Sequence, residues 1–259
     1  MQKRYLLSAL LTLAVVTNAS AAGYQLQEYS ITNLGRAFAG AGVMADDYSA
    51  IAFNPAGMSL VKKSGIQMGA TAVDVYGSVK GKSQASTTIP GVGTVWEAEK
   101  SGKTHSNLFR LLPHFYGQYK ANEKLDFGLG LYVPFGLAND YKNGWFGESH
   151  GGYSGITVVN LTPSASYKIS DNFSFGLGIN LQYAVAHLTG ATFGGGHTDM
   201  HEADDMGIGY NVGLTYQPTK TTRLGLSYRS KVNHKLHGKN SMHTLSMNGT
   251  YKVNAKIFY

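Results

Sequence analysis

The feature that most constrains the fold is a run of strict alternation from Phe173 to Val185. Every second residue is aromatic or aliphatic, and the residues between them are Ser, Gly, Asn, Gln and Ala. A repeat of two residues is the side-chain period of a β-strand, so one face of this strand is apolar. The run exceeds the ~5–6 residues of a typical soluble strand and suffices for a tilted membrane strand of ~9–11 residues. We therefore expect this strand to face lipid.

Similar alternating segments recur after residue 63, and the connections between them alternate in length. Long connections (81–105, 135–155 and 190–205) are followed by short turns, as in outer-membrane barrels with loops outside the cell and turns in the periplasm. The sequence thus predicts an all-β fold, a transmembrane antiparallel β-barrel. A soluble β-sandwich is the alternative, but it does not need such long strands. The other seven predicted strands are 64–80, 108–120, 126–133, 156–169, 208–216, 224–228 and 245–259.

Composition agrees with a barrel and argues against other classes of protein. The chain has 33 Gly and 17 Tyr but only 14% charged residues, and it has no Cys. The formal charge of +7 is not concentrated in a basic cluster with interleaved aromatics, so nucleic acid is not an expected partner. Basic loops are instead expected to contact outer-membrane lipid and lipopolysaccharide.

The sequence shows no catalytic constellation. Ser154 lies in Gly-Tyr-Ser-Gly-Ile, which is not the Gly-x-Ser-x-Gly motif of a hydrolase elbow. We expect a protein that is not an enzyme and needs no cofactor.

The amino-terminal region divides into two parts. Residues 1–21 have the basic, apolar and small-residue order of a secretory signal peptide. Residues 22–62 are rich in Gly and Ala and do not alternate, and their glycines interrupt any long helix. A compact segment of short helices ahead of a barrel predicts a hatch inside the lumen, with residues 63–259 forming the barrel strands.

The hatch carries four short motifs in a defined order: GYQLQEYS, LGRAFAG, ADD and NPAG. Together with FGLGINLQY and LGLSYRSKV in the strands, they resemble the FadL family of outer-membrane fatty-acid transporters. The resemblance implies a multi-pass barrel in the bacterial outer membrane, with about eight of the family's fourteen strands in this chain. We therefore expect the N-terminal three-fifths of a longer barrel. The alternative is a complete chain, because the alternating residues ending at Tyr259 resemble a carboxy-terminal assembly signal.

The resemblance also implies a function. The expected activity is passive diffusion of hydrophobic compounds, most simply long-chain fatty acids, with hatch gating and lateral exit into the membrane. Uptake of aromatic hydrocarbons is an alternative within the family. A surface adhesin or antigen acting through loops such as Gly81–His105 is an alternative from another class.

Several hatch residues are candidates for the ligand site. Asn54-Pro55-Ala56 matches the family's hatch motif, which lies near a kink in the third strand, although an Asn-Pro turn alone would explain it. Arg36 is expected to pair with Asp46 or Asp47 inside the lumen, and binding of a ligand carboxylate is the sharper hypothesis. The apolar pocket is expected to include Leu26, Phe38, Ile51 and Phe53.

A second candidate lies in the third strand, where Val133-Pro134-Phe135-Gly136 follows the alternating residues. Proline cannot donate to a β-ladder, so it belongs at an edge, an end or a bulge. Either the strand ends here, or the segment corresponds to the kink of the family's kinked strand, which forms the lateral gate.

One histidine- and acid-rich segment invites a metal hypothesis. His197 and His201 are four residues apart, a spacing that binds metal on a helix. Because Gly194-Gly195-Gly196 disfavours a helix, we predict a solvated acidic loop and no metal site.

Overall fold

Residues 25–84, 86–142, 144–192, 196–243 and 248–258 are described by a computed structural model of the chain. The predicted signal peptide lies outside these residues. The main element is a ten-stranded antiparallel sheet, with a small hairpin formed by two further strands. The strands are β1 Gly65–Ser83, β2 Ser86–Ile89, β3 Gly93–Trp96, β4 Lys100–Lys120, β5 Leu125–Phe135, β6 Ala138–Asp140, β7 Tyr153–Ser170, β8 Phe173–Thr192, β9 Gly196–Thr219, β10 Thr222–Arg229, β11 Asn233–His243 and β12 Asn248–Phe258.

The sheet contains eight spans in the order β1, β4, β5, β7, β8, β9, β11, β12. The short strand β6 continues the line of β5 along β7, and β10 precedes β11 along β9. Within the described residues, β1 and β12 are the two edges, and no ladder joins them. The described spans therefore form an open, curved wall around the N-terminal segment.

The two faces of the sheet differ as the alternation predicts. On β8, Phe175, Leu177 and Ile179 are exposed, whereas Asn180 and the other residues between them are buried. The same exposed apolar face continues across the neighbouring strands, with Leu129 on β5 and similar residues elsewhere. This is the pattern of a lipid-facing outer wall and a filled interior, and it confirms the predicted fold class.

Residues 25–64, which we call the hatch segment, pack against the inner face of the sheet. They contain two short helices, α1 Ile31–Gly35 and α2 Ala50–Phe53, and a 3₁₀ helix at Pro55–Leu60. The Oγ atom of Ser30 accepts a hydrogen bond from Asn33 N (3.2 Å), which caps α1. A second 3₁₀ helix lies at Glu148–His150.

Across the described ranges, no helix combines the length and the apolar character needed to cross a membrane.

Two of the predicted long loops are largely strand. The β1–β4 ladder continues to Ser83 opposite Lys100, and the β8–β9 ladder continues to Thr192 opposite Gly196. The predicted boundaries were wrong because they followed apolar alternation, which a strand loses once it extends beyond the lipid. Backbone pairing needs no apolar face.

The histidine- and acid-rich segment accordingly lies on β9 and is not a loop. His187 and His201 approach Asp199, with the shorter distance 2.8 Å from His187 Nε2 to Asp199 Oδ1. Among the described residues, no group of three or more His, Cys, Asp or Glu side chains is arranged to hold a metal ion.

Strand β11 was not predicted. It carries Lys235, His237 and Lys239 at alternate positions, so the apolar signal of a membrane strand is missing. It pairs with the outer half of β9, beyond a break at Ser230–Val232 that separates it from β10.

Candidate functional site

The third span of the sheet is interrupted where the sequence places a proline. The β5–β7 ladder runs regularly to Tyr132 opposite Asn160 and resumes at Phe135 opposite Val158, so β5 contains one extra residue. This is a β-bulge, and Pro134 in it has no N–H to donate. The five residues from Tyr132 to Gly136 are all buried. The bulge breaks the alternation in which Leu129 and Leu131 face outward, and it turns Val133 inward.

Strands β4 and β5 separate at the same level. Their ladder ends at Phe115 opposite Leu131, although β4 continues to pair with β1 as far as Lys100. Farther along, β6 contacts β4 through a hydrogen bond from Asp140 N to Ser106 Oγ (2.8 Å). A stretch of the β4 edge therefore has no β5 partner in the described ladders, and it faces the bulge.

The start of the hatch segment occupies this opening. Gln25 forms an antiparallel bridge with Phe135, and Leu26 N donates to Pro134 O (2.8 Å). The Leu26 side chain is 4% exposed and packs with Leu112 and Val133, which is 7% exposed. Sequence reasoning assigned Leu26 to a ligand pocket, whereas it lies among the proposed gate residues. We call this contact the seal.

An apolar patch of the inner wall lies directly beside the seal. Phe135 belongs to it, so this residue connects the opening to the interior surface. The patch spans the neighbouring strands β5, β7, β8, β9 and β11, and its partly buried member is Ile156. Its buried members are Phe135, Val158, Ala184, Ala186, Met200, Ala203 and Leu236.

The hatch motif is held by strands β7 and β9. Asn54 Nδ2 donates to Gly42 O (2.8 Å) and to Leu214 O (3.1 Å) on β9, while Asn54 Oδ1 accepts from Ala56 N (3.1 Å). Ala56 O accepts from Ser166 Oγ (3.3 Å) on β7. Ser166 pairs with Asp126 near the start of β5, whereas the bulge lies at the end of this strand, so the motif is not at the expected position near the third-strand kink.

Arg36 is held within the hatch segment. Its guanidinium forms an ion pair with Asp46, and Nη2 donates to Asn33 Oδ1 (2.7 Å). Asp47 instead accepts from Ser49 N (3.0 Å) and from Gln67 Nε2 (2.9 Å) on β1. Burial alone would raise the pKa of Asp47, but these and other hydrogen bonds outweigh it and lower the pKa below its usual value. Of the two predicted partners, Asp46 is the one that pairs with Arg36.

The other predicted pocket residues form a packed aromatic stack. The ring centroids of Phe38 and Phe53 are 6.5 Å apart, those of Phe53 and Tyr29 are 5.0 Å apart, and those of Tyr29 and Tyr132 are 4.5 Å apart. Ile51 is fully buried in the same cluster. Burial raises the pKa of Tyr29 to about 12. The stack joins the hatch to the third span.

Arg229 is the site residue that sequence reasoning missed. It ends β10, donates from Nη2 to Ala52 O in α2, and holds its guanidinium 5.7 Å from the ring centroid of Tyr132. Among the described residues, no carboxylate lies within ion-pairing distance of it. The signal was available, because outward Leu224, Leu226 and Tyr228 place Arg229 on the inner face.

A family model described as outer membrane protein transport protein (OMPP1/FadL/TodX) matches residues 12–256. Outer membrane protein P1 of Haemophilus influenzae is 30% identical over 249 residues, covering 83% of this chain and 54% of the relative. The 47 kDa outer membrane protein of Pasteurella multocida is 34% identical, covering 89% and 55%. The long-chain fatty acid transport protein of Escherichia coli K12 is 27% identical, covering 89% and 57%.

Solved structures agree on the fold. The crystal structure of a Pseudomonas aeruginosa FadL homologue superposes with a TM-score of 0.77 at 20% identity, covering 92% of this chain and 64% of that one. The toluene transporter TbuX of Ralstonia pickettii has a TM-score of 0.54 at 19% identity, covering 82% and 59%. The chain spans about half the length of the curated relatives it matches. The family match extends over nearly the whole sequence, and the chain belongs to the OMPP1/FadL/TodX family of outer membrane transport proteins.

Proposed function

We propose that this chain belongs to a passive outer-membrane transporter of hydrophobic molecules, with long-chain fatty acids as its ligands and a lateral exit at the third span. The main observation behind this proposal is the seal, in which Leu26 of the hatch segment packs on Val133 beside the bulge at Pro134. A single movable segment there covers an opening between two strands. No cofactor, energy source or enzymatic step is part of the proposal.

The proposed route runs along the apolar patch to the opening. Phe135 belongs to the patch and bridges Gln25 of the seal, so a ligand on the patch is already beside the exit. Each CH₂ group removed from water contributes about 0.8 kcal/mol, which makes a long acyl chain a strong ligand for such a surface. Freed backbone groups at the opening cannot be hydrated from the lipid side, so the hatch segment or the ligand must cover them.

The surroundings of Arg229 favour binding of a ligand that has a carboxylate over binding of a neutral hydrocarbon. Its partners are the carbonyl of Ala52, the hydroxyl of Tyr29 and the ring of Tyr132, all uncharged, and a partly buried guanidinium is best stabilised by an anion. It lies beside Tyr132, which precedes the bulge, and beside Tyr29, which follows the seal. A carboxylate bound by Arg229 would compete for the contact with Ala52 and loosen the hatch.

The proposal is tested by transport into liposomes that contain the purified protein. We expect palmitate to cross faster than in empty liposomes, and Arg229→Gln to remove most of the advantage of palmitate over hexadecanol while Arg229→Lys keeps it. A protein that transports hexadecanol and palmitate equally, with or without Arg229, would support the aromatic hydrocarbon alternative or another neutral ligand. Transport of neither compound would contradict the proposal.

A second candidate function, surface adhesion, is favoured by the β1–β4 arm. The arm extends past the lipid-facing residues and carries the β2–β3 hairpin, where Val92 is 72% exposed and Trp96 is 60% exposed. Exposed apolar side chains at the tip of an arm suit contact with another surface. Deletion of residues 86–96 with retained transport and lost cell adhesion would establish this role. Unchanged adhesion would remove it.

A further inference from the structure

A polar cavity at the turn end of the wall is not used by the proposed route. It has a volume of about 450 Å³ and lies between the end of the hatch 3₁₀ helix and the short turns that follow β4, β7 and β9. In the barrel orientation given by the short turns, this end faces the periplasm. Its lining includes six charged side chains, Lys62, Lys120, Glu123, Lys168, Asp171 and Arg223.

The charges on the lining are unequal, with four basic and two acidic side chains. Two of the lysines are engaged by carboxylates: Lys120 with Asp126 (3.2 Å) and Lys168 with Asp171 (2.8 Å). Within the described part of the chain, Lys62 has no carboxylate within ion-pairing distance, and neither has Arg223. The lining groups outside these ion pairs are therefore two cations, Lys62 and Arg223, and one carboxylate, Glu123, so the positive charges are in excess.

The hatch segment fixes the side chain of Arg223, and some of its N–H donors remain without a hydrogen-bond partner. Its Nη1 atom donates to Met44 O (2.7 Å) and to Val43 O (3.2 Å), and its Nε atom is buried with no hydrogen-bond partner. The hydroxyl of Ser59 contacts that of Ser174 (2.7 Å) on the same lining. Guanidinium, ammonium and hydroxyl groups around one space are the donors that bind phosphate and carboxylate.

We propose that this cavity binds a small hydrophilic oxyanion, of which inorganic phosphate is the simplest, between Lys62 and Arg223. Leu60 is the one apolar side chain on the lining, so the site offers little surface to an alkyl chain. Lys62 follows the hatch 3₁₀ helix and Arg223 lies on β10, so the bound anion links the end of the hatch to the wall. The proposal is independent of which hydrophobic ligand the barrel carries.

The test is equilibrium dialysis of radiolabelled phosphate against the purified full chain in detergent micelles, with chloride at matched ionic strength. We expect saturable binding that Lys62→Gln weakens by at least about tenfold, because charge-assisted hydrogen bonds are lost. The matched control is Lys63→Gln, which removes the same charge from the next residue, whose side chain is not on the lining; its affinity should equal that of the wild type. Arg223→Gln should also weaken binding, but it removes contacts to Val43 and Met44, so Lys62→Gln is the deciding variant.

Three results would overturn the proposal. The first is an absence of saturable phosphate binding, and the second is equal affinity of Lys62→Gln and Lys63→Gln. The third is a preference of more than about tenfold for hexyl phosphate over inorganic phosphate, because the alkyl chain would then have to be recognised and the site would belong to a lipid head group. Similar affinities for the two phosphates support the free oxyanion.

Discussion

Gly176 of β8 lies directly opposite Gly213 of β9, and the hatch motif occupies the space that their missing side chains leave. A Cβ atom on Gly213 would lie closer than 3.0 Å to Asn54 Oδ1, and one on Gly176 would lie closer than 3.0 Å to the backbone of Ala56. The motif therefore fits against the wall because two facing strands carry glycine at one level. The two glycines therefore set how closely the motif approaches the wall.

The first prediction concerns this glycine pair. Gly213→Ala should destabilise hatch docking by about 1–3 kcal/mol, because the added methyl group meets Asn54 in a filled interior. Urea unfolding of the protein in micelles measures the change. The control is Gly77→Ala on β1, where an added Cβ has no atom within 4 Å. Equal stability of the two variants would show that the hatch does not depend on the close approach.

The second prediction concerns Asn54. Asn54→Ala removes the hydrogen bonds to Gly42 O and Leu214 O and leaves both carbonyls without that donor, at a cost of about 1–3 kcal/mol. We expect trypsin to cut the hatch faster at Arg36 and fatty-acid transport to fall, while the barrel strands stay resistant. Asn122→Ala, in an exposed turn, serves as the control. Wild-type cleavage and transport in Asn54→Ala would mean that the motif is an ordinary turn.

The third prediction is a pH dependence that arises from Asp47. Its pKa in the folded protein lies below the ordinary value of 3.8, so the charged form contributes stability above that pH. As the pH falls through the lowered pKa, the carboxylate is protonated and this contribution is lost. Asp47→Asn should therefore lose less stability than wild type between pH 6 and pH 3. Parallel pH curves for the two proteins, measured by urea unfolding, would contradict the assignment.

The fourth prediction concerns the orientation of β8. A cysteine-reactive probe confined to the membrane should label Leu177→Cys and Ile179→Cys, whose side chains are exposed on the outer face. It should spare Asn180→Cys, whose side chain is fully buried. The chain has no native cysteine to interfere. Equal labelling on both faces would be incompatible with a lipid-facing wall.

The sequence was most informative where a strand contacts lipid. Large apolar residues alternate with small polar residues where one face of a strand contacts lipid and the other faces the interior of the barrel. The residues of β8 that point outward could therefore be predicted from the two-residue period alone. The same signal is absent from β11, where Lys235, His237 and Lys239 alternate beyond the lipid, and this strand was missed. It is also absent from the outer ends of β1 and β9, which were predicted as loops.

The site could be predicted only in part. Pro134 and its neighbours were recognised because proline cannot donate to a ladder, and the bulge lies there. The partner of the bulge could not be predicted, because the contact between Leu26 and Pro134 joins residues far apart in sequence and depends on how the hatch enters the lumen. The position of Arg229 on the inner face could be predicted from its neighbours, but its contacts with Ala52 and Tyr132 could not, because they also join residues far apart in sequence.

The central claim is that the start of the hatch segment closes a lateral exit at the third span. Gln25 and Phe135 face each other in an antiparallel bridge, where Cα atoms are about 4.5–5.5 Å apart and a disulfide fits. The direct measurement is fatty-acid transport by Gln25→Cys/Phe135→Cys before and after reduction. Thr88→Cys/Thr94→Cys, a paired position on the distant β2–β3 hairpin, is the control disulfide.

We predict that the oxidised Gln25→Cys/Phe135→Cys protein transports no faster than an empty membrane, that reduction restores the wild-type rate, and that the control is active in both states. Transport at the wild-type rate by the oxidised protein would contradict the account, because the ligand would then leave with the seal closed.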